Sequence, residues 1–388
     1  MRGERLVWVD WLKGLVVLGV VAFHAAQPYV LTEWIVNANE DSEVLSGLAG
    51  LGYLFAMPLM FLLAGLTGWI ALERRTAWQY VRVRLLRLGL PLVVGLALLS
   101  PFESWVGALS AGHSPDLPAF VARTWAELPP LTSPRWLGDV GHHLWFLGFL
   151  LGYVLVTLVP LRWLRGRQPP SPTRTVPATL ALLGPIVPMT VLQWLVRPAA
   201  PQYRDWADAL LWLSYFGIGI GLAFDRAWLR PIGRYGGWMT IPALVLALLL
   251  VPLGLDGVMR LESAPSIDVP SLAYAAARTA IGWWLVCAVM ALGMRWLTGA
   301  APAGGRAGEA SLAFYVLHHP VVVIVAAVVV PWSLGPALGF AAIFLASLGV
   351  TAALYEGVVR RVAILRAVFG VAEPAAEEPV SPRQPEPV

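Results

Sequence analysis

The sequence is poor in charge. Lys, Arg, Asp and Glu make up 13% of its 388 residues, where a soluble domain carries about 25%. A water-soluble globule is excluded on that ground. Cysteine is nearly absent. With Cys287 alone, no intramolecular disulfide can form. The net charge of +4 is too small to point to nucleic acid, and no nucleic-acid partner is expected. There is no internal repeat, which argues against a transporter built from duplicated halves. A Gly-rich phosphate loop, a G-x-S-x-G elbow, a dinucleotide fingerprint and metal-ligand spacing are all missing in credible context. Neither a bound cofactor nor a metal is therefore expected. Nor is a cleaved leader. Basic residues precede the first apolar run, but no small-x-small pattern stands clear of His24 and Gln27.

Apolar residues are abundant. They form 58% of the chain, and the mean hydropathy is +0.70. Uninterrupted apolar runs of about 20 residues predict membrane-spanning helices. Ten are expected, over 7–29, 46–72, 85–106, 142–163, 176–196, 207–224, 238–254, 271–297, 311–331 and 335–358. The fold class is thus all-α, a polytopic bundle whose partner is the lipid bilayer. Nineteen tryptophans suit the bilayer interfaces.

Loop charges orient the bundle. Arg2 and Arg5, then Arg74, Arg75, Arg82, Arg84 and Arg87, then Arg162, Arg165, Arg167 and Arg174 fall on one side. Arg226, Arg230, Arg234, Arg295, Arg306, Arg360, Arg361 and Arg366 join them. The intervening loops carry Glu33, Glu40, Asp41, Glu43, Asp116, Glu127, Asp139, Asp256, Glu262 and Asp268. The positive-inside rule then places both termini in the cytoplasm. Residues 1–370 form the membrane domain. Residues 371–388, rich in Pro and Glu, are expected to be a disordered tail. The longest outer segment, 107–141, is expected to carry short helices.

Ionisable groups inside spans are costly and mark candidate function. In "DWLKGLVVLGVVAFHAAQPY", residues 10–29, Lys13 and His24 are 11 positions apart. That spacing puts them on one helix face, roughly 16 Å apart along the axis. Asp10 is placed to pair with Lys13. Asp10 and Lys13 lie near the interface, where a purely structural role is equally available. His24 lies deeper and has no short-range partner. Arg82, Arg84 and Arg87, in "YVRVRLLRLGLP", present guanidinium forks suited to phosphate, or a plain basic anchor. "GHHLWFLGFLLGY" carries His142, His143 and Trp145. Adjacent histidines on a helix point to different faces and chelate poorly. "SLAFYVLHHPVVV" sets His318 and His319 two turns into the cytoplasmic half, before Pro320. There they line a polar seam or satisfy carbonyls that the proline frees. Glu356 is placed at a similar depth. Glu103 is grouped with His24, His142 and His143 in the outer half.

These stretches, with "VDWLKGLVVLGVVAFHAAQPY", "FLLAGLTGW", "HHLWFLGFLLGY" and "LYEGVVRR", resemble the acyltransferase-3 family of bacterial inner-membrane acyltransferases over residues 5 to 370. Within it they resemble the glucan biosynthesis protein C group, associated with succinylation of periplasmic glucans. The resemblance implies a ten-span bundle in the bacterial inner membrane. It implies transfer of an acetyl or succinyl group from cytoplasmic acyl-CoA to a hydroxyl of an extracytoplasmic glycan, alongside glucan-synthesis proteins. The family's first span carries a basic residue, ten intervening residues and a histidine, which Lys13 and His24 match; with Asp10 they are the catalytic candidates. Arg82, Arg84 and Arg87 match the acyl-CoA-binding entrance. His143, Trp145, Tyr315, His318, His319 and Glu356 are candidates to line the path. Where many relatives have Ser-Gly, Ala64 lacks the hydroxyl. Without the resemblance, a proton-coupled transporter or flippase of a glycan or anion, with His24 as proton site, fits the buried charges equally well.

Overall fold

The computed structural model describes residues 6–114, 116–126, 132–167, 169–171, 173–299 and 301–371. The segment expected as a tail lies, from residue 372, outside the described residues, as do Arg2, Arg5 and Glu127. Ten helical segments among the described residues are long and apolar enough to cross a membrane. They are span 1 (Val7–Tyr29), span 2 (Glu43–Glu73), span 3 (Ala77–Ser110), span 4 (Trp136–Val156) and span 5 (Ala178–Val196). Then follow span 6 (Trp206–Phe224), span 7 (Arg226–Leu253), span 8 (Val269–Trp296), span 9 (Gly305–Trp332) and span 10 (Gly335–Val359). No strand occurs among the described residues. The protein is an all-α bundle of ten candidate spans.

Spans 1, 2 and 8 contact one another. Spans 1, 9 and 10 pack against one another; span 2 packs along span 6; spans 5 and 7 flank span 8. The contact between spans 2 and 6 shows why glycine is placed where it is. A Cβ on Gly65 would overlap the Phe216 carbonyl oxygen, and one on Gly219 would overlap that of Leu62. Small residues let two backbones touch, and in lipid, where apolar burial drives little association, that close packing holds helices together. Gly219→Ala should therefore lower the melting temperature in detergent, by an overpacking penalty of about 1–3 kcal/mol or more. Gly217→Ala, with nothing within 4 Å of the added methyl, should melt like the parent. Equal melting of the two variants would refute this packing argument.

Two deviations from ideal helix shape the interior. Span 3 widens into π-turns at Leu85–Gly89 and Gly95–Leu99. Each lies just ahead of a proline, Pro91 or Pro101, whose missing N–H interrupts the ladder. The Ser100 backbone N–H closes the second π-turn on the Gly95 carbonyl, which also accepts from Ser100 Oγ at 3.4 Å. Span 4 breaks at His142, whose φ of 47° is positive, a conformation that strains a non-glycine residue. The helix Trp136–Gly141 ends there, and a 3-10 turn over His142–Leu144 leads into Trp145–Val156.

These boundaries correct four expectations. Span 3 starts at Ala77 rather than 85, so Arg82, Arg84 and Arg87 lie within a helix already under way. The fourth span starts before His142 and His143, at Trp136. Span 7 starts at Arg226 rather than 238, so Arg226, Arg230 and Arg234 lie on helix rather than in the loop before it. The helix of span 9 is already under way from Ala301, well before 311. His318 and His319 are therefore deeper than expected and face the groups assigned to the other half of the membrane, as described next.

Candidate active site

Five of the six histidines meet at one place. The ring centroids of His24 and His319 are 4.5 Å apart, those of His24 and His318 5.3 Å. His143 stacks on His319 at 4.4 Å, and His142 lies parallel to His319 at 6.0 Å. Spans 1, 4 and 9 supply them, and span 3 adds Glu103. The Glu103 carboxylate is fully buried. Its Oε2 stands 3.1 Å from His319 Nδ1 and its Oε1 3.8 Å from His143 Nδ1.

Local sequence explains the convergence. The positive φ of His142 breaks the helical register in which adjacent side chains diverge. His142 can thereby take a hydrogen bond with Ser104 Oγ, at 2.8 Å, while His143 reaches span 9. Arg204 ties this turn down by donating to the His142 carbonyl oxygen at 3.4 Å. In span 9, Pro320 has no N–H to give the carbonyl of Val316, one turn back. That carbonyl accepts from His143 Nε2 at 3.2 Å. A histidine thus fills the gap left by the proline, but it comes from span 4 rather than from the neighbouring residues. His318 Nδ1 donates to the Phe314 carbonyl at 3.1 Å, so its Nε2 is left without a partner. Tyr315 donates to the His143 carbonyl oxygen.

The five rings are not equally accessible. His143, His318 and His319 are buried, while His24 and His142 are half-buried. His24 Nδ1 has no hydrogen-bond partner. Trp34, from the loop after span 1, stacks against His24 at 6.2 Å and meets His319 edge-on at 5.6 Å. His24 is therefore the imidazole best placed to meet a substrate, with the buried rings and the carboxylate behind it.

A second group lies toward the other end of span 1. Lys13, the only lysine in the chain, donates from Nζ to Thr67 Oγ1 at 3.2 Å. Next to Thr67, Gly68 is approached by the Tyr80 hydroxyl and the Arg84 guanidinium. Arg84 sits over the Tyr80 ring at 5.3 Å. Span 2 thus brings Lys13 and Arg84 to one turn. Asp10 packs on span 9 at Gly308, where a Cβ would come within 2.8 Å of its carboxylate. Arg87 Nε donates to the Gly370 carbonyl at 3.2 Å, and Arg82 is exposed.

Two candidates stand elsewhere. Trp145 is packed among Phe61, Phe146, Phe149, Tyr203 and Trp212. Glu356 is exposed and paired with Arg360. Sequence reasoning passed over Ser104 and Trp34, and placed Glu103 in no role. It also passed over a buried charge network. Arg197 and Arg278 share Asp208, Glu262 and Gln193, joining spans 5, 6 and 8 to the helix Gly254–Ser263.

A family model described as an acyltransferase domain matches residues 6–356. The chain is also similar to proteins named glucans biosynthesis protein C. That of Salmonella schwarzengrund is 23% identical over 96% of this chain and 97% of its own. That of Salmonella typhi is likewise 23% identical, and that of Salmonella paratyphi B 22%. No solved structure matches the chain. With the match spanning nearly all ten segments, the chain belongs to the acyltransferase-3 family and is a multi-pass membrane acyltransferase.

Proposed function

We propose that this acyltransferase moves an acyl group from cytoplasmic acyl-CoA to a hydroxyl of a glycan on the far side of the bacterial inner membrane. The observation that carries the reading is the convergence of four histidines and Glu103 around a half-buried His24. The basic loops lie at the opposite end of span 1, beside Lys13 and Arg84. By the positive-inside rule that end is cytoplasmic. Similarity to the Salmonella proteins named for glucan biosynthesis supports a glucan acceptor.

A sugar hydroxyl is a poor nucleophile until a base takes its proton. His24 is that base. Attack of the hydroxyl oxygen on the thioester carbonyl breaks the C–S bond, and the CoA thiolate leaves. His24 takes the hydroxyl proton, which finally resides on the thiol. Lys13, Arg84 and Arg87 neutralise the CoA phosphates.

Purified protein in nanodiscs, given acetyl-CoA or succinyl-CoA and a glucan mixture, should release free thiol with one of the donors. No acyl-CoA binding with either donor would overturn the reading, and glycan flux without donor consumption would favour transport. Arg84→Ala should raise KM for the donor roughly tenfold, since a hydrogen bond to a charged group is worth about 1.5–3 kcal/mol. An unchanged KM would remove Arg84 from the donor site.

A further inference from the structure

We infer that Glu103, His143 and His319 hold one divalent metal ion, Zn2+ by the nature of the donors. No spacing motif announces the site, because the three residues come from spans 3, 4 and 9. Their ligand atoms all lie within 4.8 Å of one another. Zinc binds nitrogen and oxygen at about 2.0–2.2 Å, so two ligands of a tetrahedral ion stand roughly 3.4 Å apart. The two carboxylate–imidazole separations, 3.1 and 3.8 Å, fall on either side of that value.

The tautomer of His143 is the second observation. A carbonyl oxygen only accepts, so the Nε2 facing Val316 carries the proton. The Nδ1 of the neutral ring is then a bare lone pair, and it faces Glu103. Two electron-pair donors confront each other in a buried site, an arrangement that asks for a cation between them. The His319 contact points the same way. At 3.1 Å it is short, yet neither His319 Nδ1 nor Glu103 Oε2 has a partner in hydrogen-bond geometry. Both Glu103 oxygens and both Nδ1 atoms are buried without such partners. Finally, a metal-binding histidine almost always donates its other N–H to a carbonyl or carboxylate, which fixes the ring. His143 does this through the carbonyl that Pro320 releases.

Two histidines and one glutamate form the donor set of an open zinc site, with a fourth position left for an exogenous ligand. That position would lie near His24, whose ring is 4.5 Å from that of His319. An oxygen ligand held there is more acidic than in water.

The test reads metal rather than turnover, so it is independent of the transferase reading. The full chain, purified in detergent after zinc-supplemented growth and dialysed against metal-free buffer, should retain one zinc per chain by mass spectrometry. Glu103→Gln, His143→Ala and His319→Ala should each lose it, while His24→Ala should keep it. Pro320→Ala restores an N–H to the Val316 carbonyl and should weaken zinc binding about 10–100-fold. Cobalt added to the metal-free parent protein should give the intense visible bands of a tetrahedral site, a readout that needs no variant to fold. Metal-free parent protein that gives no such bands with cobalt would overturn the proposal. So would zinc retained by both Glu103→Gln and His143→Ala. In either case the buried groups share a proton instead.

Discussion

His24→Ala should lower kcat for acyl transfer by about 10²–10⁴-fold, the range for loss of a positioned general base. KM for acyl-CoA should change little, because Lys13 and Arg84 are at the other end of span 1. The variant should keep the parent's melting temperature. His24 is half-buried, and its Nδ1 makes no hydrogen bond to lose. Thiol release from acyl-CoA, measured beside melting, separates the two effects. A variant that folds and turns over within threefold of the parent would sink His24 as the base. In that event His142, the other half-buried ring of the cluster, becomes the group to replace.

Asp208→Ala should produce the largest loss of stability, about 3–5 kcal/mol, because it leaves buried guanidinium groups without their charge partner. Asp208 is buried, and Arg197 and Arg278 both reach it. Their other carboxylate is Glu262, which pairs with Arg197 Nη1 at 3.2 Å and Arg278 Nε at 2.9 Å. Burial pushes the Glu262 carboxyl up, but Arg278 and Arg197 outweigh it and hold the group below its ordinary value. A depressed carboxyl stabilises the fold above its unfolded pKa and loses that contribution as pH falls through the folded value. Acid below about pH 4.3, the ordinary glutamate value, should thus lower the parent's melting temperature more than that of Glu262→Gln. Asp208→Ala melting like the parent would show that the network contributes no net stability.

The number of spans was legible because each needs about 20 apolar residues and the bilayer allows few exceptions. His24 and Lys13 were legible because one straight helix carries both, and helical geometry fixes their common face. What joined them to other groups was not. Adjacent histidines diverge on an α-helix, but the helix breaks at His142, whose positive φ re-aims it and His143. Glu103 is aimed by a span that π-turns and prolines have rewound. The depth of His318 and His319 was misjudged because the helix of span 9 is under way well before 311, from Ala301. The Arg197 and Arg278 network links residues far apart in sequence, and no local pattern records it.

Span 1 also bears on electrical insulation. Between Lys13 and His24 its buried face consists of Val16, Val17, Val20 and Val21. No protonatable side chain interrupts that stretch of the helix. Moving one charge across a membrane potential involves about 2.3 kcal/mol per 100 mV, so any continuous chain of titratable groups would be a leak. The valines break such a chain on this helix. Hydrocarbon is at home among them and a hydrated proton is not, so this helix resists the current that would discharge the membrane.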